Sequence, residues 1–259
     1  MKPFTITSAS LTGKVRSNNE DMILVNDEFI RDRAYKTELK NTGPPFLIAV
    51  ADGMGGHNGG EIASEYVLRN MAHTISLPGN TREEEQDLSL TTNFEADALK
   101  KILEAKIREV HQSLNSLGEK TPSLKGLGCT FTGLLFFEQR IFMIHIGDSR
   151  MYRLRGAFLA PLTNDHTKRN QLNDPDIPAN ILVNCFGGGV GGIFFDFEEL
   201  TDRLVPGDKL VLCSDGLYGE LTSEEIARGL LNGEIADELV QKANEKGGHD
   251  NISCIVIEI

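Results

Sequence analysis

Short apolar runs that break off into an aspartate and glycines set the tightest limit on how this chain can fold. The leading example is Phe46 to Ala51, followed directly by Asp52-Gly53-Met54-Gly55-Gly56. An apolar run of this length, bounded by turn residues, reads as a buried strand. It carries one carboxylate to a strand end, where the core opens to solvent. The glycines behind it let the backbone approach a partner closely or adopt a positive φ. A carboxylate beside an accessible backbone carbonyl suits a hard divalent cation, which takes oxygen ligands. Taken alone, the stretch is also an ordinary Gly-rich turn, and such turns are common.

The pattern recurs along the chain. Ile141 to Ile146 runs into Gly147-Asp148, and Lys209 to Ser214 runs into Asp215-Gly216. Gly247-Gly248-His249-Asp250 opens a last strand, Ile252 to Ile259, and Glu20-Asp21 opens Met22 to Val25. Residues 4–11 read as a first strand, and 130–137, 151–154 and 158–162 as a meander. His145, inside a strand, reads as a satisfied sheet histidine rather than a ligand. Helical spacing places Ile62, Tyr66, Val67, Met71 and Ile75 on one face over 61–75. A second helix over 95–117 carries Leu99, Leu103, Ile107, Val110, Leu114 and Leu117 toward a sheet. Thr222 with Glu225 forms a capping-box pattern before a third helix, and 234–245 predicts another. Residues 31–44, 79–87 and 163–192 read as loops. Residues 187–192 match G-x-G-x-x-G, but no strand leads directly into them and no helix follows, so dinucleotide binding is dismissed. Hairpin-length connections in the middle favour an α+β fold, with antiparallel sheets and helices segregated outside. No stretch of the 259 residues reads as a linker, so one domain over 1–259 is expected.

The 26 basic and 38 acidic residues leave a net charge of -12. That argues against a nucleic-acid binder, which would show a basic patch. It fits a site that gathers carboxylates, and equally a solvated acidic surface. Apolar runs are far shorter than the ~20 residues that cross a bilayer. The first residues carry no apolar signal core, so the expected location is the cytoplasm with no membrane partner. Cys129, Cys185, Cys213 and Cys254 include no C-x-x-C pair, so neither zinc nor a redox couple is suggested.

Acids at so many strand ends suggest carboxylates converging at one edge of stacked sheets. Converging carboxylates repel and raise one another's pKa unless a cation intervenes. Two divalent ions ~4 Å apart would satisfy them, and water held between such ions loses a proton readily. Arg16, close by in sequence, would bind a dianionic oxyanion such as phosphate, although alone it reads as a surface ion pair.

The residues Arg16-x-x-Asn19-Glu20-Asp21, Asp52-Gly53-Met54-Gly55-Gly56, Gly147-Asp148-Ser149-Arg150, Ser214-Asp215-Gly216-Leu217 and Gly248-His249-Asp250-Asn251, in this order, resemble the signature of the metal-dependent protein phosphatases of the 2C type. The likeness runs from about residue 8 to 257, and Met54 is similar to the bacterial branch. The resemblance implies a four-layer αββα sandwich, two central antiparallel sheets flanked by helix pairs. It implies two Mn²⁺ or Mg²⁺ ions bridged by Asp52. Asp215 and Asp250 complete the first; the Gly53 carbonyl, with Glu20 and Asp21 through waters, holds the second. It assigns Asp148 to a third, weaker cation and Arg16 to the substrate phosphate. Phosphoproteins made by a serine/threonine kinase are the implied substrates. The flap after Asp165-His166-Thr167 is expected to be shortened, which bears on substrate recognition and third-cation affinity.

Other chemistries fare worse. A cysteine-nucleophile phosphatase needs Cys-x5-Arg, but the sixth residues after Cys129, Cys185 and Cys213 are Leu135, Gly191 and Gly219. An aspartyl-phosphate mechanism needs Asp-x-Asp-x-Thr/Val, which Asp174-Pro175-Asp176-Ile177-Pro178 fails at its last position. The non-enzymatic alternative is a phosphatase-like binding or regulatory module of weak activity.

Overall fold

A computed structural model describes residues 3–55, 59–76 and 96–259. Gly56 and the polar run 79–87 lie outside the described residues. The chain begins with β1 (Phe4–Leu11), β2 (Met22–Val25), β3 (Glu28–Ile30), β4 (Ala34–Leu39), β5 (Phe46–Ala51) and the two-residue β6 (Gly53–Met54). Two long helices follow, α1 (Gly59–Ser76) and α2 (Ala96–Lys120). Then come β7 (Gly128–Cys129), β8 (Phe131–Phe137), β9 (Arg140–Ile146), β10 (Arg150–Arg155) and β11 (Phe158–Pro161). The short α3 (Lys168–Leu172) precedes β12 (Phe186–Gly187), β13 (Asp196–Glu199) and β14 (Lys209–Cys213). Helices α4 (Asp215–Tyr218), α5 (Ser223–Leu231) and α6 (Ala236–Lys246) lead to β15 (Ile252–Glu258).

Two six-stranded sheets form the centre, in the orders β11-β10-β14-β15-β1-β4 and β13-β9-β8-β5-β2-β3. Every pairing within them is antiparallel. The strands are apolar on successive residues because both faces are covered. Along β5, Phe46, Ile48 and Val50 enter the core between the sheets, while Leu47, Ala49 and Ala51 face the core under α1 and α2. Along β15, Ile255 and Ile257 point between the sheets, and Ile252, Cys254 and Val256 meet the layer of α4–α6. This alternation follows from the two-residue period of a strand. The outcome is the expected αββα sandwich.

The second helix buries Leu99, Leu103, Ile107, Val110 and Leu114, as its spacing predicts, with Leu117 partly buried. In α1 the buried face is Ala63, Val67, Leu68, Met71 and Ile75, while Ile62 is exposed. Ile62 lies one position before the row Ala63-Val67-Met71, so it turns away from that row. Residues 31–44 are not simply a loop: β4 pairs with β1 at a sheet edge. Its charged Lys36 and Glu38 hid the strand, and such charges are what keeps an exposed edge from pairing further. Within 163–192, Thr167 caps α3 through Asn170 N–H, and β12 pairs with β7.

Candidate active site

Antiparallel register gathers the acids. Met22 pairs with Ala51, so Asp21 before β2 and Asp52 after β5 leave the sheet at the same end. In the other sheet Cys213 pairs with both Arg150 and Cys254, and Leu11 pairs with Ile252. The end of β14, the starts of β10 and β15 and the end of β1 therefore share one edge. Asp215, Asp148, Asp250 and Arg16 lie within a few residues of those ends. Asp148 sits on the turn that carries the chain from β9 in one sheet to β10 in the other. Gly147 turns there with φ +106, a region that favours glycine.

The surrounding groups hold Asp52 and Glu20 by their backbones. Asp52 N–H donates to Thr130 Oγ1 (3.0 Å), and Thr130 N–H donates to the Asp52 carbonyl (2.9 Å). Asn251 Oδ1 accepts from Glu20 N–H (2.8 Å), and its Nδ2 donates to the carbonyls of Thr12 (2.8 Å) and Asn18 (2.9 Å). Ser64 Oγ donates to the Glu20 carbonyl (2.6 Å). Asp21 is buried; Ser214 Oγ donates to its Oδ2 (2.7 Å), but its buried Oδ1 has no hydrogen-bond partner. Gly53 is packed so closely that a Cβ there would fall 2.4 Å from the Glu20 carbonyl oxygen and 2.2 Å from that of Gly60. At Gly60 a Cβ would fall 2.7 Å from the Glu20 carboxyl carbon.

Electrostatics mark the same place. Burial, then repulsion from Asp21, Asp215, Asp148 and Asp250, holds the Asp52 carboxyl well above the usual carboxylate range. Burial likewise raises Asp215, with repulsion from Asp250 next. Burial raises Asp21 against the opposing hydrogen bond of Ser214. Burial with Asp215 and Asp165 pushes Asp148 up to about 7, and burial raises Glu20. One cation already leans on the group: Arg16 Nη2 lies 2.6 Å from Asp250 Oδ2, with the Arg16 side chain about half exposed. Arg16 thus pairs with Asp250, not with Glu20 or Asp21.

The residues present fit divalent cations. Neighbouring carboxylates raise one another's pKa, a buried Asp21 oxygen lacks a donor, and an arginine stands against Asp250 as a positive charge would. Oxygen-only donors are the set that Mg²⁺ and Mn²⁺ take. Sequence reasoning assigned no role to Ser64, Thr130, Ser214 or Asn251, which act on backbone or through long-range contacts. Ser214 and Asn251 do lie inside quoted motifs, which was the available signal; Ser64 and Thr130 gave none.

A second group of metal-type donors lies behind the Asp148 turn. Nitrogens of His145 and His166 and an oxygen of Asp196 stand within 4.8 Å of one another. Hydrogen bonds exclude a metal there. Asn184 exchanges bonds with Phe194, Nδ2 to its carbonyl (2.8 Å) and Oδ1 from its N–H (3.2 Å), which fixes the amide orientation. The same Nδ2 (2.8 Å) and Gly147 N–H (3.2 Å) both donate to His166 Nδ1. Nδ1 therefore carries the lone pair, and Nε2 carries the proton that it donates to Asp196 Oδ2 (3.1 Å). A protonated Nε2 has no lone pair for a cation. His145 reads differently: Thr132 Oγ1 donates to the Ser149 carbonyl, so it accepts from the His145 ring (Nδ1, 2.9 Å), while Nε2 lies 3.2 Å from the Asn164 carbonyl, and a neutral ring has a proton for one of the two.

The sequence pattern of the Protein phosphatase 2C family matches residues 24–252, which include strands of both sheets and the acids at their edge except Glu20 and Asp21. The chain belongs to that family. It is 30% identical over 265 residues to the serine/threonine phosphatase stp of Listeria monocytogenes, covering 95% of this chain and 92% of that protein. It is 30% identical over 257 residues to the serine/threonine protein phosphatase PstP of Mycobacterium tuberculosis, covering 95% of this chain. The chain spans only 43% of the length of that relative. Among solved structures, an S. agalactiae serine/threonine phosphatase superposes with TM-score 0.80 at 27% identity, covering 99% of both chains. The catalytic domain of PstP in complex with two manganese ions superposes with TM-score 0.73 at 30% identity, over 100% of this chain and 99% of that one.

Proposed function

We propose that residues 1–259 act as one catalytic domain that hydrolyses phosphoserine and phosphothreonine in proteins, using Mn²⁺ or Mg²⁺. The observation that carries this reading is the convergence of Asp21, Asp52, Asp148, Asp215 and Asp250, with raised pKa values at the first four and a donorless buried oxygen on Asp21. Asp52 would bridge two cations, Asp215 and Asp250 would complete one, and the Gly53 carbonyl with Glu20 and Asp21 would hold the other. Asp148 would serve a third, weaker position. Such cations, when bound, acidify water and offset charge on a phosphoryl group.

The chain's own residues do the rest. Arg16 stands half exposed at the mouth, where its planar fork can turn to two oxygens of an incoming phosphate. Asn251 fixes the Glu20 backbone, and Ser214 fixes the Asp21 carboxyl, so the acids stay in place as charge moves. Thr130 pins Asp52 through two backbone bonds. Phosphoproteins made by a serine/threonine kinase, in the cytoplasm and without nucleic-acid or membrane partners, are the proposed context. Among the described residues no helix is long and apolar enough to cross a membrane.

Turnover of p-nitrophenyl phosphate and of a phosphothreonine peptide, with Mn²⁺ and after EDTA, tests the reading. Activity on both that needs added Mn²⁺ or Mg²⁺ is expected. Full activity in metal-stripped protein would overturn the mechanism, and no turnover with Mn²⁺ would favour the binding-module alternative.

A further inference from the structure

The Gly147–Asp148–Ser149 turn carries a carboxylate but owes its shape to distant residues. All three of its carbonyls are met from outside the turn. His166 N–H donates to the Gly147 carbonyl (2.7 Å), Tyr218 Oη to that of Asp148 (3.0 Å) and Thr132 Oγ1 to that of Ser149 (2.8 Å). Gly147 N–H in turn donates to His166 Nδ1 (3.2 Å). His166 therefore grips Gly147 from both sides, through its backbone and its ring.

We propose that His166 is a positioning residue for Asp148, and that it ties the Asp148 turn to the segment 182–196. The proposal rests on the reading of Asp148 as a cation ligand. His166 is itself buried and closely confined. Its ring neighbours those of His145 and Phe194, each with its centroid 4.6 Å away. Val183 N–H donates to its carbonyl (2.9 Å), Asn184 donates to its Nδ1, and Asp196 accepts from its Nε2. Three residues of the 182–196 segment thus set the ring's position and tautomer. The ring then presents a lone pair to Gly147 N–H, one residue before Asp148.

The hydrogen bonding reaches further. Ser149 Oγ lies 2.7 Å from Thr130 Oγ1, which accepts from Asp52 N–H. A displaced turn would be felt first at Asp148 and only through two more hydroxyls at Asp52. The weak cation position is therefore expected to respond to His166 more strongly than the tight pair does. Groups that orient a ligand from behind typically change metal affinity by about 10–100-fold when removed.

Four variants of the full chain test this: His166→Leu, which keeps bulk without Nδ1; His166→Asn, which returns an acceptor near the Nδ1 position; Asp196→Ala; and Asp148→Asn as the reference. Calorimetric Mn²⁺ titration should show the weakest binding event lost in Asp148→Asn and weakened about tenfold in His166→Leu, with tighter binding unchanged. His166→Asn should recover much of it, and Asp196→Ala should show a smaller weakening. The ¹⁵N resonances of the wild-type ring, read without any activity assay, should report a bare Nδ1 and a protonated Nε2. Should His166→Leu fail to fold, Asp196→Ala at a half-exposed position and the ring resonances still decide. A ring protonated on Nδ1 overturns the proposal. So does wild-type weak binding in His166→Leu or Asp196→Ala while Asp148→Asn loses it. If Asp148→Asn keeps that binding, the ligand reading of Asp148 falls and the proposal falls with it.

Discussion

Two clusters of metal-type donors lie a few residues apart, and they differ in how their hydrogen bonds close. At the sheet edge Asp21, Asp52, Asp148 and Asp215 repel one another, and Asp21 Oδ1 has no donor. Behind it, both ring nitrogens of His145 and of His166 have hydrogen-bond partners within the chain. Proximity alone would rate the histidine group the better site, since its three donor atoms stand within 4.8 Å. Hydrogen-bond accounting reverses that order. His166, whose one lone pair and one proton are both engaged, is support, and a group with surplus negative charge awaits a cation.

The largest effect should come from removing charge at the open cluster. Asp52→Asn, Asp215→Asn and Asp250→Asn should each lower kcat by about 10³-fold or more with the fold retained, because each takes charge from a site built on it. Circular dichroism beside steady-state kinetics checks this, and a variant with wild-type turnover would remove its residue from the site. A smaller loss is expected at Arg16. Its guanidinium carries donors only and cannot bind a cation. Arg16→Ala should cost about 2 kcal/mol in kcat/KM, toward the low end for a charged contact because the side chain is half exposed and screened. Mn²⁺ affinity should stay level or tighten, since the charge now resting on Asp250 has gone. Loss of Mn²⁺ binding in a folded Arg16→Ala protein would instead make that ion pair a structural brace.

Sequence made the open cluster legible and, beyond placing His145 inside a strand, left the closed one opaque. Asp52, Asp148, Asp215 and Asp250 announce themselves because each adjoins an apolar run and lies beside or near a glycine. The register that joins them is not local: Met22 with Ala51, Cys213 with Arg150 and Cys254, and Leu11 with Ile252 pair across long stretches of chain. His166 offers no such cue: its partners Gly147, Asn184 and Asp196 are 18 to 30 residues away, and Asp196 is brought up only when β13 pairs with β9. Strand β4 was missed for a related reason, since its charges are those of an exposed edge and mimic a loop. The ion pair of Arg16 with Asp250 joins residues 234 apart, a link that local pattern cannot supply.

The two clusters should also oppose each other in their response to pH, and that contrast sharpens the comparison at the smallest scale. His145 is fully buried; burial, then the neighbouring His166, holds its pKa down at about 4, against weaker pulls from Asp196, the Asn164 carbonyl and Asp165. An unfolded histidine takes its proton near pH 6.5. Between pH 6.5 and 4 the unfolded chain thus binds a proton that the folded chain refuses, and stability is lost as pH falls through that window. The loss tends toward about 3 kcal/mol and stops growing below pH 4, where both states are protonated. Asp148 works in the other sense. Its pKa near 7 lies above the unfolded value, so its contribution declines as pH rises toward 7. Urea unfolding of the wild type and of His145→Gln, at matched Mn²⁺ from pH 7 to 4, isolates the histidine because the acid cluster cancels in the difference. The wild type should lose its advantage over the variant as the solution is acidified. A difference that stays flat across the window would mean that His145 keeps its proton in the fold, and that the closed cluster carries charge after all.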